Sequence, residues 1–369
     1  MSTHEIPVFR VGELEAHPNA DMLDIITYRG WKCAVRRGSF QLGDLAVYIA
    51  PDYCVPVTRP EFEFLKDAGK FDQTHARIKG KRLRGVMSFG LVIPAPVEIR
   101  STVDANAVWT VQEGDNLLEY YGIHRWEPPM VGRNNGQGFT LPQTFYPRIP
   151  QGNSKFDLEN INNYPDLIKD GEMVVMTEKI HGANARFIYY KNDSADAETP
   201  EGMMVGSRTR WLRRVTDDER AQGHKPDIWW QVHDKFPEIR AFCEVHPNTI
   251  LYGEVYGNVQ DLKYGLPNDL SFAAFAAYDS AQGVWLPVYS LLADILPIYQ
   301  IPTAPIVKVA PYSRALMELL AEQDSTVATA PAKHIREGLV ITPVAERFDS
   351  RHGRVALKYI SNRYWERKL

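Results

Sequence analysis

Thr177-Glu178-Lys179-Ile180-His181-Gly182-Ala183-Asn184 lies where an apolar run, residues 173–177, gives way to a series of small residues. The run reads as a strand and the small residues after it as a turn. A lysine at a strand end is by default a solvated lysine. One that leaves a strand for a tight turn has its amine aimed into a cleft, where a nucleophile is needed.

Five further segments follow in order: Ser207-Arg208, Leu251-Tyr252-Gly253-Glu254, residues 272–279 with Phe275 and Tyr278, Arg336-Glu337-Gly338-Leu339-Val340, and Leu357-Lys358. Each is weak alone. As an ordered set they resemble the covalent nucleotidyltransferase superfamily of polynucleotide ligases and mRNA capping enzymes. Lys179-Ile180-His181-Gly182 followed by Ala-Asn is similar to the first motif of RNA ligases. The resemblance covers roughly residues 150–369 and implies an α+β fold, with an adenylylation domain of antiparallel sheets flanked by helices. Residues 203–205, 250–251, 271–277, 338–341 and 355–357 read as strands, and 228–242 and 313–322 as helices.

The chemistry implied is attack by a lysine amine on the α-phosphate of ATP. The amine must be neutral near pH 7, and crowding by cations lowers a lysine's pKa. Lys179 is therefore expected beside Lys358 and a divalent ion, Mg2+ or Mn2+, both also offsetting charge on the phosphate. Glu337, at a strand start, suits such an ion, since hard cations take carboxylate oxygens and water; Glu254 is the second metal candidate. The resemblance also implies a nucleotide site of Glu178, Lys179, Arg208, Glu254, Glu337 and Lys358, with Glu254 on the ribose. Phe275 would stack on the adenine, Tyr278 being the alternative. Asn184 would serve the steps after lysine adenylylation, and Arg208 the phosphate or the 3′-OH strand. His181 stays open between a structural and a catalytic role. One departure stands out: many ligases carry a second lysine two residues after the first in the last motif, and here that position is Ile360. Arg354 and Arg363 are the candidates to supply the missing cation.

Ahead of this region, short apolar runs at 23–27, 32–35 and 45–49 alternate with Arg29-Gly30, Arg37-Gly38 and Leu42-Gly43-Asp44. That rhythm predicts a small barrel or sandwich. Ala16-His17-Pro18-Asn19-Ala20-Asp21-Met22-Leu23 resembles the signature of the tRNA-binding OB-fold domain. Such a barrel binds nucleic acid, which gives the basic run from His75 to Arg84 a purpose: Arg77, Lys79, Lys81, Arg82 and Arg84 would meet phosphates. A second basic run, from Arg208 to Arg214, adds Arg208 and Arg210. For either run a solvated surface is the plain alternative. A barrel in front of a ligase domain resembles the Deinococcus-type RNA ligases, whose members join 3′-OH RNA ends in duplexes. DNA ligases and capping enzymes place an OB domain after the last motif, whereas eleven residues follow Lys358 here. Richness in Pro, Gly and Asn at 127–152 marks a linker. The expected division is an OB-fold nucleic-acid-binding domain at 1–126 and a nucleotidyltransferase domain at 153–369.

Composition bounds the rest. The 369 residues, 44% hydrophobic and 24% charged, suffice for two ordinary soluble domains. The net charge of −4 hides the two basic runs. The start, MSTHEIPVFR, lacks a signal peptide's basic and apolar segments, and no apolar run is long enough for a membrane span. Cys33, Cys54 and Cys243 lie far apart, which disfavours a zinc site or disulfide framework. The expectation is a cytoplasmic monomer with no membrane partner. It would be an ATP-dependent RNA ligase sealing 3′-OH to 5′-phosphate ends in a nicked RNA or RNA/DNA duplex. The alternatives are a capping-type RNA guanylyltransferase and a non-catalytic RNA-binding protein on the same scaffold.

Overall fold

Leu23–Tyr28 and Trp31–Arg36 pair antiparallel with Tyr28 opposite Trp31, so Arg29-Gly30 alone turns the chain. Both turn residues have positive φ, 50° and 83°, the conformation whose twist matches a tight hairpin's strands. Along Trp31–Arg36, Trp31, Cys33 and Val35 point inward and Lys32 and Arg36 outward, the period of two of a half-buried strand. With Leu14–Ala16 the hairpin makes a three-stranded sheet. Val8–Arg10, Leu45–Ile49 and Leu91–Pro94 make a second, and Tyr53–Pro56, His75–Arg77 and His124–Arg125 a third. All share one core containing Phe9, Trp31, Tyr48, Phe62, Phe89 and Tyr121.

These relations come from a computed structural model that describes residues 5–66, 74–100, 108–126, 156–191, 201–327, 334–350 and 352–367. The chain forms two compact units, one of residues 2–131 with 365–369, the other of Met1 with 132–364. The expected linker, 127–152, lies outside the described residues. Within the first of these units Trp365 packs 5.7 Å from Phe89, and Glu366 pairs with Arg82 at 2.5 Å.

Among the described residues the second unit has two large sheets besides the two-stranded ribbon of Phe348–Asp349 and Gly353–Arg354. One has the order Glu159–Asn160, Leu357–Ile360, Gly338–Pro343, Met173–Lys179, Ile306–Pro311. The other has the order Trp211–Leu212, Gly202–Ser207, Ala183–Tyr190, Thr249–Gly257, Leu270–Asp279, Val284–Trp285. Pairing is antiparallel throughout except between Glu159–Asn160 and Leu357–Ile360. The helix expected over 228–242 is two, Ile228–Lys235 and Pro237–Val245, because Pro237 cannot continue a helix but starts one well. The strand expected at 355–357 is displaced to Leu357–Ile360. Among the described residues no helix is long and apolar enough to cross a membrane, and all three cysteines are free and buried.

Candidate active site

Lys179 ends its strand opposite Gly338, and Gly338 faces Ile360 on the next strand. Two residues back, Thr177 is opposite Val340, and Val340 faces Lys358. Side chains alternate across a strand, so Lys179 and Lys358 share one face. The same alternation sends Glu178 to the other face. Its carboxylate is buried there, accepting hydrogen bonds from Ser325 Oγ and, at 2.9 Å, from both N and Oγ1 of Thr326, and pairing with Arg336 Nε at 3.3 Å. Expected among the nucleotide-binding side chains, Glu178 instead braces the strand from behind.

After Lys179 the turn Ile180-His181-Gly182 carries the chain from the first sheet directly into Ala183–Tyr190 of the second. A β-carbon at Gly182 would collide with the main-chain oxygen of Val255, so only glycine lets the turn run this close to the neighbouring strand Thr249–Gly257. At the junction Asn184 lies opposite Glu254, and Lys179 Nζ lies 2.9 Å from Glu337 Oε1. The other Glu337 oxygen is 3.5 Å from His181 Nδ1. Burial pushes the Glu254 carboxyl up to about 8, with Lys179 opposing and Glu337 adding to the rise. Burial also disfavours charge on Glu337, but Lys179 and then His181 outweigh it and bring the carboxyl down to about 2. For Lys179, burial favours the neutral amine, yet Glu337 and Glu254 prevail and the net shift is upward. That is opposite to the direction an attacking amine needs. From the protein's own groups alone, Lys179 is held protonated.

The Glu254 shift has a consequence for stability. A carboxyl held near 8 keeps a proton that the unfolded chain loses near 4.5, so folding stability falls as pH rises between these values. Glu254→Gln, which does not titrate, is expected to melt higher than the parent at pH 8 and to match it near pH 4.5. Equal midpoints at pH 8 would show that this burial costs nothing.

Phe275 is the extra residue of a β-bulge. Tyr252 pairs with Ala276 and Gly253 with Ala274, leaving Phe275 unmatched, a device that re-aims a side chain. Its ring lies 4.8 Å from Phe156. Tyr278, by contrast, is buried against Trp285 in the core. Of the two aromatic candidates, Tyr278 is buried and Phe275 only partly so. Asn184 Oδ1 is buried without a hydrogen-bond partner among the described residues, while its carbonyl accepts from Trp229 Nε1 at 2.8 Å.

Of the basic run from Arg208 to Arg214, Arg208 pairs with Asp157 at 2.5 Å, Arg213 with Glu219 and Arg214 with Asp234, and Arg210 is exposed. Neither candidate for the missing cation at Ile360 is spare: Arg354 pairs with Glu346 at 2.6 Å and Arg363 with Asp324 at 2.9 Å. In the barrel, Lys81 and Arg82 lie on one arm of a hairpin, Lys81–Leu83 with Val86–Ser88, whose turn holds Arg84. His17 and Asn19 anchor it, His17 Nε2 lying 3.0 Å from Leu83 O and Asn19 Nδ2 donating to Arg84 O at 3.0 Å. Lys79, Lys81 and Arg84 are exposed. Arg77 is engaged instead, pairing with Asp52 at 2.5 Å and stacking 3.3 Å over Trp126.

Among the described residues no group of three or more His, Cys, Asp and Glu is arranged to hold a metal. Glu337 and Glu254 nevertheless offer hard oxygen donors beside Lys179, and Glu337 Oε2 is buried without a hydrogen-bond partner among the described residues. Two carboxylates with water and phosphate oxygens completing the shell suit Mg2+ or Mn2+. No local signal announces Asp261, Tyr264 and Tyr364 around His181, or Phe156 and Asp157 beside Phe275 and Arg208; these meetings depend on the fold.

An RNA ligase family model matches residues 172–360, and an OB-fold domain model matches residues 6–95. No curated protein matches the chain. Among solved structures, a lysine-to-alanine mutant of Naegleria gruberi RNA ligase R4a, without ligand, is 23% identical with a TM-score of 0.72, covering 98% of this chain and 97% of its own. Naegleria gruberi RNA ligase with ATP and Mn, again a lysine mutant, and the same ligase with PPi are each 22% identical with a TM-score of 0.71, covering 99% of both chains. At such identity the likeness establishes the fold, an OB-fold domain followed by a sheet-rich nucleotidyltransferase-like domain.

Proposed function

The chain belongs to the RNA ligase family, and from that premise we propose that it is an ATP-dependent ligase that carries AMP on Lys179. The observation behind this is the 2.9 Å pairing of Lys179 with Glu337 at the junction of two sheets, with Glu254 alongside. The Naegleria gruberi RNA ligase structures with ATP and Mn and with PPi support the same nucleotide and metal. Lys179 Nζ, once deprotonated, attacks the α-phosphorus; a P–N bond forms and pyrophosphate leaves. AMP then passes to a 5′-phosphate, and a 3′-OH displaces it, sealing the strand. Phe275 offers the adenine its ring, Glu254 meets the ribose, and Lys358 and Arg208 meet phosphate. When bound to Glu337 and Glu254, Mg2+ or Mn2+ supplies positive charge that favours the neutral amine and offsets charge on the phosphates. The substrate is a nick in an RNA or RNA/DNA duplex, and the barrel domain, residues 1–126, holds it through the exposed Lys79, Lys81 and Arg84.

The test is incubation with α-labelled ATP or GTP and Mg2+ or Mn2+, followed by denaturation. Label from ATP is expected to stay on the protein, and label from GTP to wash away; no adduct from ATP would refute the reading. Replacing Lys81 and Arg84 together by alanine is expected to leave this adduct unchanged. Duplex binding should weaken and its dependence on salt should flatten, with a slope about two phosphates smaller. An unchanged salt slope would remove the hairpin from the interface.

A further inference from the structure

His181 is held at more points than a turn residue needs. Its Nε2 lies 2.7 Å from Asp261 Oδ1, its Nδ1 lies 3.0 Å from the Tyr364 hydroxyl, and its main-chain N–H donates to the Tyr264 hydroxyl at 2.8 Å. The same loop reaches the next residue, where Gln260 Nε2 donates to the Gly182 carbonyl at 2.5 Å. These partners come from the segment after Thr249–Gly257 and from the helix Asn362–Arg367. The edge of the imidazole that meets Tyr364 also faces Glu337 Oε2, 3.5 Å away. That oxygen is buried and has no hydrogen-bond partner among the described residues, while Oε1 holds Lys179.

A carboxylate with one oxygen committed to the nucleophile and the other leaning on an imidazole keeps its orientation only if the imidazole is fixed. We propose that Tyr364 and Asp261 are positioning residues of the adenylylation site. Acting through His181, they hold Glu337 in place while Lys179 leaves it for the nucleotide. The proposal rests on Lys179 being the nucleophile. Backbone ties point the same way. Tyr364 N–H donates to Ser361 Oγ at 3.2 Å, Ser361 Oγ donates to the Arg336 carbonyl at 2.8 Å, and Ser361 N–H donates to the Glu337 carbonyl at 3.0 Å. The residue that steadies His181 is thereby fastened to the main chain that carries Glu337.

Two measurements on the full chain test this, one of them independent of activity. In protein with 15N-labelled histidine, the ring signals of His181 are identified by their loss in His181→Gln. Glu337→Gln, Tyr364→Phe and Asp261→Asn should each shift them. In the labelling assay, Tyr364→Phe and Asp261→Asn should slow adduct formation about tenfold. The half-saturating ATP concentration should stay within about twofold, and Asp261→Glu should recover part of the rate. The proposal is overturned if Glu337→Gln or Tyr364→Phe leaves the His181 signals in place, or if Tyr364→Phe labels at the parent rate. It is equally overturned if half-saturating ATP rises as much as the rate falls, which would mean that the whole pocket had loosened. Absence of any adduct in the parent chain would instead refute the nucleophile assignment, and the ring signals then decide the positioning role alone.

Discussion

Lys179→Ala and Lys179→Arg are both expected to lose at least about a thousandfold in adduct formation from α-labelled ATP, yet to differ in stability. Arginine keeps a cation against Glu337 but stays protonated in proteins, so it cannot attack phosphorus. Alanine leaves Glu337 and Glu254 to repel each other without the lysine's charge to offset them. Glu337 is held near 2 largely because Lys179 offsets its burial, and Glu254 already sits near 8. Without the lysine both carboxyls take up protons more readily. The alanine variant should therefore lose less than the ~3–5 kcal/mol usual when one partner of a buried pair is removed. In the parent chain the upward shift of Lys179 makes the neutral amine a minor form at pH 7, and it grows about tenfold per pH unit until the folded pKa is reached. Labelling should climb with pH accordingly. Glu337→Gln, which deletes the largest charge raising that pKa, should move the climb to lower pH. A rate that is flat with pH in the parent, or adduct on Lys179→Arg, would refute deprotonated Lys179 as the attacking group.

The convergence of Lys179, Glu254 and Glu337 was legible in the sequence because each belongs to a short motif and the order of motifs is itself informative. Glu178 shows where motif reading fails. It adjoins Lys179 in sequence, but a strand's period of two sends neighbouring side chains to opposite faces, and the strand around it had already been inferred. Phe275, favoured over Tyr278 as the adenine-stacking residue, differs from it in another way. A plain strand gives no rule for telling apart residues three positions from each other; Phe275 stands in a one-residue bulge that no local signal announced. The surroundings of His181 were beyond reach, since its partners lie 80, 83 and 183 residues away and are ordinary residue types. The barrel's short strands were legible from their turns. The anchoring of Leu83 and Arg84 by His17 and Asn19 was not, although the segment holding both anchors had been singled out.

The second large effect is expected behind the site, at Glu178 and Arg336. Each precedes a proposed site residue by one position; Glu178 lies in Met173–Lys179 and Arg336 two residues before Gly338–Pro343, the strand that pairs with it through Glu178 with Leu339 and Lys179 with Gly338. Their side chains are 0% and 1% exposed. The carboxylate is surrounded by Ser325, Thr326 and Arg336, and Arg336 Nη1 donates to the Leu320 carbonyl at 2.5 Å. Glu178→Ala strands a buried guanidinium and the donors of Thr326, so a loss of ~3–5 kcal/mol in urea unfolding is expected. Glu178→Gln keeps an oxygen for Thr326 N and should cost less, about 1–3 kcal/mol. Replacing both partners, Glu178→Gln with Arg336→Met, should cost less than the two single changes added together, because neither buried charge is then left alone. Labelling should fall with Glu178→Ala even where the chain remains folded, since the main chain under both Lys179 and Glu337 loses its brace. A Glu178→Ala variant within about 1 kcal/mol of the parent, well below what a broken buried pair costs, would show that the pair does not hold the two strands together. Full loss of stability with labelling intact below the melting temperature would separate the brace from the chemistry and leave Lys179 positioned by the turn at Gly182 alone.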